Sequence, residues 1–261
     1  MVKYSYKIVS KVFETHESGT LRDECLKNGT FERFIERIGQ LSSEKRRVKI
    51  DLDTKRKDEE QLEAENASKK EKEDKNNTST MKKQKTKEEK KDVKRKGVGY
   101  TAGVGTAWNV SEYLKSKEAK SSQAANIVNI LKNMIRSKDW EAPPEIKDLL
   151  LESALLPTLE AAFRSGSLLD MAKEFELNMA YLEFVQEIAN HPSLIDLVLD
   201  IGEEYQPRQT GPVHQLLSKL NDLSTIFLSC LTEESKSSLD EEQTKPRDLA
   251  EMIQATHKIV D

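Results

Sequence analysis

Apolar positions recur at steps of three and four along most of this chain. Between Val2 and Leu41 they fall at Val2, Tyr6, Val9 and Phe13, then at Leu26, Phe31, Phe34, Ile35, Ile38 and Leu41. Gly19 and Gly29 punctuate the run, and the spacing predicts two or three short helices. From Ser111 the periodicity resumes and hardly stops. Ser111 is placed to cap a helix running to about Ile135, with Ile127, Val128, Ile130, Leu131, Met134 and Ile135 on its buried side. Trp140 and the pair Pro143 and Pro144 close that helix and open the next. Further helices are predicted at 144–152, 155–164, 170–190, 193–201, 213–231 and 246–259. Pro157, Pro192, Pro207, Pro212 and Pro246 stand at or near their starts, and Gly166, Gly202 and Gly211 lie in the gaps. No stretch alternates between apolar and polar residues as a strand would, so the predicted class is all-α.

One pattern repeats. Aligning LKNGTFERFIERI from Leu26 with LESALLPTLEAAF from Leu151 sets Asn28 and Gly29 opposite Ser153 and Ala154, Phe31 opposite Leu156, Phe34 opposite Leu159 and Ile38 opposite Phe163. HPSLIDLVL from His191 falls in the same register through Leu194 and Leu197. A small residue at a tight turn followed by an apolar stripe is the layout of the inner helix in armadillo-type repeats, where the stripe buries against the preceding unit. An irregular helical bundle obeys the same packing rules and is the alternative.

Residues 42–96 break the pattern. They lose aromatics and hold 20 Lys/Arg against 14 Asp/Glu, as in KKEKEDKNNTSTMKKQKTKEEKK. Such a segment buries too little apolar surface to offset chain entropy of about 1–2 kcal/mol per residue, and it is expected to be disordered or at most a solvated helix. The charge divides accordingly, because residues 97–261 carry a net −11 while the whole chain carries −4. The expected organisation is a helical repeat unit at 1–41, a disordered charged linker at 42–96, a glycine-rich lead-in at 97–109 and an armadillo-like helical domain at 110–261, the array being interrupted by the linker.

Tests for chemistry return little. The box KGVGYTAGVGTAWNV, Lys96–Val110, has four glycines but no Lys after Gly103 or Gly105, which a phosphate-binding loop requires, and a Lys-rich stretch precedes it where a dinucleotide site needs a strand. Tyr100 and Trp108 read instead as anchors of an extended lead-in onto the helices beyond. His16, His191, His214 and His257 stand out of helical reach of one another and of Cys25 and Cys230, so no metal site is expected. The two cysteines lack a neighbouring base and read as packing thiols of a reducing compartment. Glu203 with Glu204 and Glu233 with Glu234 read as solvated helix ends. The basic run Lys90–Lys96, with Lys82, Lys83 and Lys85 upstream, carries interspersed acids and no aromatics, which favours solvated linker over nucleic-acid contact. As a localisation signal it would make the protein nuclear; otherwise the composition, without a secretory start or a spanning apolar run, reads as cytoplasmic. No catalytic, cofactor-binding or metal-binding residue is expected.

Two stretches resemble a known family. KGVGYTAGVGTAWNV is similar to the glycine-rich lead-in of the giant inhibitor-of-apoptosis ubiquitin-conjugating proteins called BRUCE or Apollon, with Lys96, Gly97, Gly99, Tyr100, Trp108, Asn109 and Val110 at the matching places. Pro143–Ala189, PPEIKDLLLESALLPTLEAAFRSGSLLDMAKEFELNMAYLEFVQEIA, resembles the helical region shortly before the conjugating domain of that family, and the likeness extends over about Lys96–Asp261. The resemblance implies a place in a ubiquitin-conjugating system, with a conjugating domain or its substrates as protein partners. That domain carries a His-Pro-Asn stretch ahead of its active-site cysteine, and this chain has neither that motif nor the Cys and His set of a baculoviral-type repeat. The expectation is a non-catalytic helical scaffold. A piece of a ubiquitin-conjugating enzyme without its catalytic domain, or an unrelated armadillo-like adaptor, are the alternatives.

Overall fold

A computed structural model of the chain describes residues 2–16, 19–49, 110–136, 140–164, 166–200, 202, 205–206, 212–231 and 241–261. Two units separate: one of Met1–Ile50 with Leu114–Asp261, and one of Asp51–Tyr113, of which only the helical turn Val110–Tyr113 is described. The N-terminal helices and the C-terminal ones, which the sequence suggests as separate domains, therefore share one core.

Eleven helices are seen among the described residues: α1 (Val2–Thr15), α2 (Gly19–Lys27), α3 (Thr30–Leu41), α4 (Val110–Ile135), α5 (Pro144–Leu151), α6 (Leu155–Arg164), α7 (Leu168–Lys173), α8 (Phe175–Ala189), α9 (Asp196–Leu199), α10 (Val213–Ser229) and α11 (Glu241–Val260). The protein is all-α, with a single antiparallel pair of two-residue strands, β1 (Val48–Lys49) and β2 (Tyr205–Gln206), that periodicity could not show.

Several helix starts follow the predicted chemistry, although α4 begins at Val110 and takes in Ser111, the predicted cap. Asn28 Oδ1 accepts from the Thr30 backbone N–H at 3.0 Å and from its hydroxyl at 2.5 Å, turning the chain into α3, while Gly29 takes the left-handed φ of 69° that a side chain would resist. Phe31, Ile35 and Ile38 then fall on the buried side. Pro144 opens α5, where its missing N–H costs nothing, and α6 buries Leu155, Leu156, Leu159 and Phe163. Helix α2 packs on α3, α5 on α6, and α3 on α6. The last contact is close, since a Cβ on Gly39 would stand 3.3 Å from that of Ala154.

Three helices differ from expectation. The predicted helix 170–190 is two, α7 and α8, broken at Glu174 with φ −117° and ψ 45°. Asn178 holds the break open by donating its side-chain amide protons to the carbonyls of Met171 at 2.9 Å and Glu174 at 3.2 Å. The predicted helix 193–201 shrinks to α9, because the His191 carbonyl is engaged by the amides of Leu194 and Ile195 in a turn. Helix α11 begins at Glu241 and takes Pro246 into its body, near enough to its start that few backbone bonds are lost.

Ser42–Lys49 also departs from the expected linker. The chain runs from α3 across α6, where the Arg47 amide donates to the Ser153 carbonyl at 3.4 Å, and it ends as β1 with the Lys49 ammonium 5.7 Å from the centre of the Tyr205 ring. Residues 42–49 thus pack with the helical unit. Residues 51–109, with the rest of the charged linker and the glycine box, lie outside the described residues.

The core is continuous from Phe13 on α1 to Val260 on α11. The second half of α4 runs through it, with Ile127, Val128, Ile130, Leu131 and Ile135 fully buried. Helix α11 closes it by packing on α7, α8 and α10.

Candidate functional site

Two arginines sit inside this core. Arg22 on α2 is fully buried, and its guanidinium donates to carbonyls of His16 at 2.7 Å, Met134 at 2.8 Å, Asn133 and Arg136 at 3.1 Å, and Phe13 at 3.3 Å. One side chain thus meets the carbonyl-rich ends of α1 and α4 together, where helix dipoles favour positive charge. The planar fork suits this and an ammonium would not. Nearby, Asn133 donates to Ser10 Oγ at 3.0 Å and Trp140 Nε1 to Asp23 Oδ1 at 2.9 Å. The second arginine, Arg47, is paired with Glu160 of α6, both of them buried. Arg22 is spent on backbone carbonyls, whereas Arg47 meets Glu160 through Nη2 and keeps Nη1 buried without a partner among the described residues.

The two thiols differ in burial. Cys25 is buried, and burial pushes its thiol pKa up, the Arg22 charge opposing and the Glu24 charge adding to the shift. Cys230 is exposed at the end of α10. His191 is engaged through Nε2 with the Ile135 carbonyl at 3.1 Å. Among the described residues no three His, Cys, Asp or Glu side chains gather as a metal would require. Glu203, Glu204, Glu233 and Glu234, the run Lys82–Lys96, Tyr100 and Trp108 lie outside the described residues. No described helix is long and apolar enough to cross a membrane.

A charged seam joins α4 to α8. Lys132 meets Glu183 at 2.5 Å and Arg136 meets Glu187 at 3.5 Å. Burial raises the Glu187 pKa above the ordinary carboxylate value despite the opposing pull of Arg136, Lys132 and His191.

Open clefts remain as the surfaces able to receive another molecule. One of about 380 Å³ lies where α3 ends against α4, α6, α7 and α8; its floor includes Asn178 and Tyr181, its walls Ala124, Ala161 and Ala162, and its mouth Lys120 and Glu44. Another of about 450 Å³ runs between α3 and the α5–α6 turn, over Ile35, Gly39 and Ala154, and is edged by Glu32, Glu36 and Glu152. Sequence reasoning missed both.

The architecture defines a helical protein with a continuous core and open, polar-edged clefts. No protein-family model matches the chain. It is similar to the dual E2 ubiquitin-conjugating enzyme/E3 ubiquitin-protein ligase BIRC6 of Mus musculus, 27% identical over 207 aligned positions that take in 66% of this chain and 4% of the relative. The Homo sapiens protein of the same name is 25% identical over 158 positions, 51% of this chain and 3% of the relative. The chain thus spans a small fraction of the length of the curated relatives it matches, as a stretch resembling part of BIRC6. The resemblance read from the glycine box and from Pro143–Ala189 agrees with these similarities.

Proposed function

We propose that this chain is a protein-interaction region of a ubiquitin-conjugating system, a helical scaffold that does no chemistry of its own. The observation that carries the reading is the similarity to a dual ubiquitin-conjugating enzyme and ligase over two-thirds of the chain. The fold supports it: the pairs α2–α3 and α5–α6 pack side by side through Gly39 and Ala154, as successive units of an armadillo-like array would. The third copy is weaker, because its register falls on the turn before the four-residue α9. Burial supports the non-catalytic part, since it pushes the Cys25 thiol pKa up and hides the sulfur, which makes a poorer ubiquitin acceptor. The scaffold would present its clefts and exposed helix faces to a conjugating domain or its substrates, in the cytoplasm or the nucleus.

Native capture of the full chain from cells tests this. Ubiquitin-conjugating or ligase components are expected to be enriched over a tag-only control, and their absence from repeated captures would sink the reading.

A further inference from the structure

The cleft beside α8 has a floor whose hydrogen-bonding capacity is left over from the fold. Tyr181 is 3% exposed, and among the described residues no side chain or carbonyl engages its hydroxyl. Buried tyrosines ordinarily satisfy that group. Tyr181 lines the cleft, and its hydroxyl, which is not among the fully enclosed unpaired atoms, meets solvent there. Asn178 stands three residues earlier, on the same face of α8 and lining the same cleft. Both its amide protons are committed to the carbonyls of Met171 and Glu174, so Oδ1 faces any visitor as an acceptor only.

A guest must therefore bring an N–H for Asn178 and an oxygen for the Tyr181 hydroxyl. A carboxamide has both. A carboxylate has no proton for Asn178 and would stand near Glu174, whose charge already acts on Tyr181. Charge at the mouth is close to balanced: Lys117 is paired with Glu174 at 2.8 Å and Asp170 with Lys173 at 2.6 Å, while Lys120 and Glu44 oppose each other in sign. Ala124, Ala161 and Ala162 give a short aliphatic stem an apolar wall.

We propose that this cleft is a recognition site for an uncharged side-chain carboxamide, a glutamine or asparagine presented by a partner polypeptide. The inference rests on the interaction-module reading for the source of the group, while the chemistry of the floor stands on its own.

The test is an NMR titration of the full chain with N-acetylglutamine methylamide, the corresponding glutamate compound and a capped pentapeptide with glutamine at its centre. The capped glutamine is expected to shift the Asn178 side-chain and Tyr181 backbone signals saturably, with a Kd on the order of 1 mM. The pentapeptide should bind more tightly than the isolated residue, as a polypeptide source requires, and the glutamate compound about tenfold more weakly. Tyr181→Phe keeps the ring and removes only the spare hydroxyl, so it should fold as the parent and lose about tenfold in affinity. Ala162→Leu, which fills the wall, should abolish the shifts. Absence of saturable shifts, equal binding by Tyr181→Phe, or a glutamate compound as good as the glutamine one would each overturn the proposal. A pentapeptide no better than capped glutamine would overturn the polypeptide source. Failure of the capture experiment would leave the floor chemistry intact, so the two readings fail separately.

Discussion

Replacing Arg22 by methionine keeps a side chain of similar length and removes the guanidinium that holds two helix ends. Five carbonyl oxygens at 2.7–3.3 Å would lose their donor together: those of Phe13 and His16 at the end of α1, and those of Asn133, Met134 and Arg136 at the end of α4. A hydrogen bond to a charged donor contributes about 1.5–3 kcal/mol, but these share one side chain and are not additive. Water reaches the exposed end at Arg136, and methionine recovers some apolar burial. A net loss of about 3–5 kcal/mol follows, comparable with breaking a buried charge interaction. For an ordered unit of this size that lowers Tm by roughly 10 °C. Arg22→Lys should lose nearly as much, because an ammonium has three donors and cannot span both helix ends. Thermal unfolding followed by circular dichroism at 222 nm measures the effect, with Arg33→Met on the exposed face of α3 as the control. If Arg22→Met melts within about 2 °C of the parent, the reading of Arg22 as a shared cap is wrong.

Other outcomes follow from the same contacts. Arg47→Ala removes the buried counter-charge beside Glu160 and should cost about 3–5 kcal/mol, whereas Arg47→Met with Glu160→Leu should recover most of it; denaturant titration of the single and double variants decides this. Glu187 binds its proton more tightly folded than unfolded, so the stability this gives is present at low pH and is lost as pH rises through its folded pKa. Glu187→Gln should therefore raise Tm at neutral pH, with the gain shrinking toward about pH 4, and melting across that range would show a flat difference if the sign is wrong. Iodoacetamide should label exposed Cys230 well before buried Cys25, which peptide mass spectrometry follows over time.

Much of the helical architecture was legible because its causes are local. Pro144 at a first turn and the stripe Leu155, Leu156, Leu159 and Phe163 place α5 and α6 within a residue of the observed ends. The break at Glu174 was not legible, because apolar periodicity runs through it unbroken and the device that holds it, the Asn178 side chain, bonds to the carbonyls of Met171 and Glu174 across it. Arg22 and Arg47 went unnoticed for a different reason. A pattern of apolar and polar letters assigns every arginine to solvent, and Arg47 lies in the run SSEKRRVK, whose composition reads as linker. Its counter-charge, Glu160, stands 113 residues away, so the pairing is a property of the tertiary fold. The clefts were hidden likewise, since Ile38, Ala124, Ala161 and Tyr181 come from four helices. What sequence does carry at long range is likeness, and the glycine box with Pro143–Ala189 pointed to the same relatives that comparison of the whole chain finds.

The claim most exposed to a single measurement is that this helical region serves a ubiquitin system without accepting ubiquitin itself. Incubating the purified full chain with ubiquitin, activating enzyme and ATP, followed by non-reducing electrophoresis, reads it directly. The account predicts no reductant-sensitive adduct on Cys25 or Cys230; a thioester on either cysteine, lost when that residue becomes serine, would contradict it.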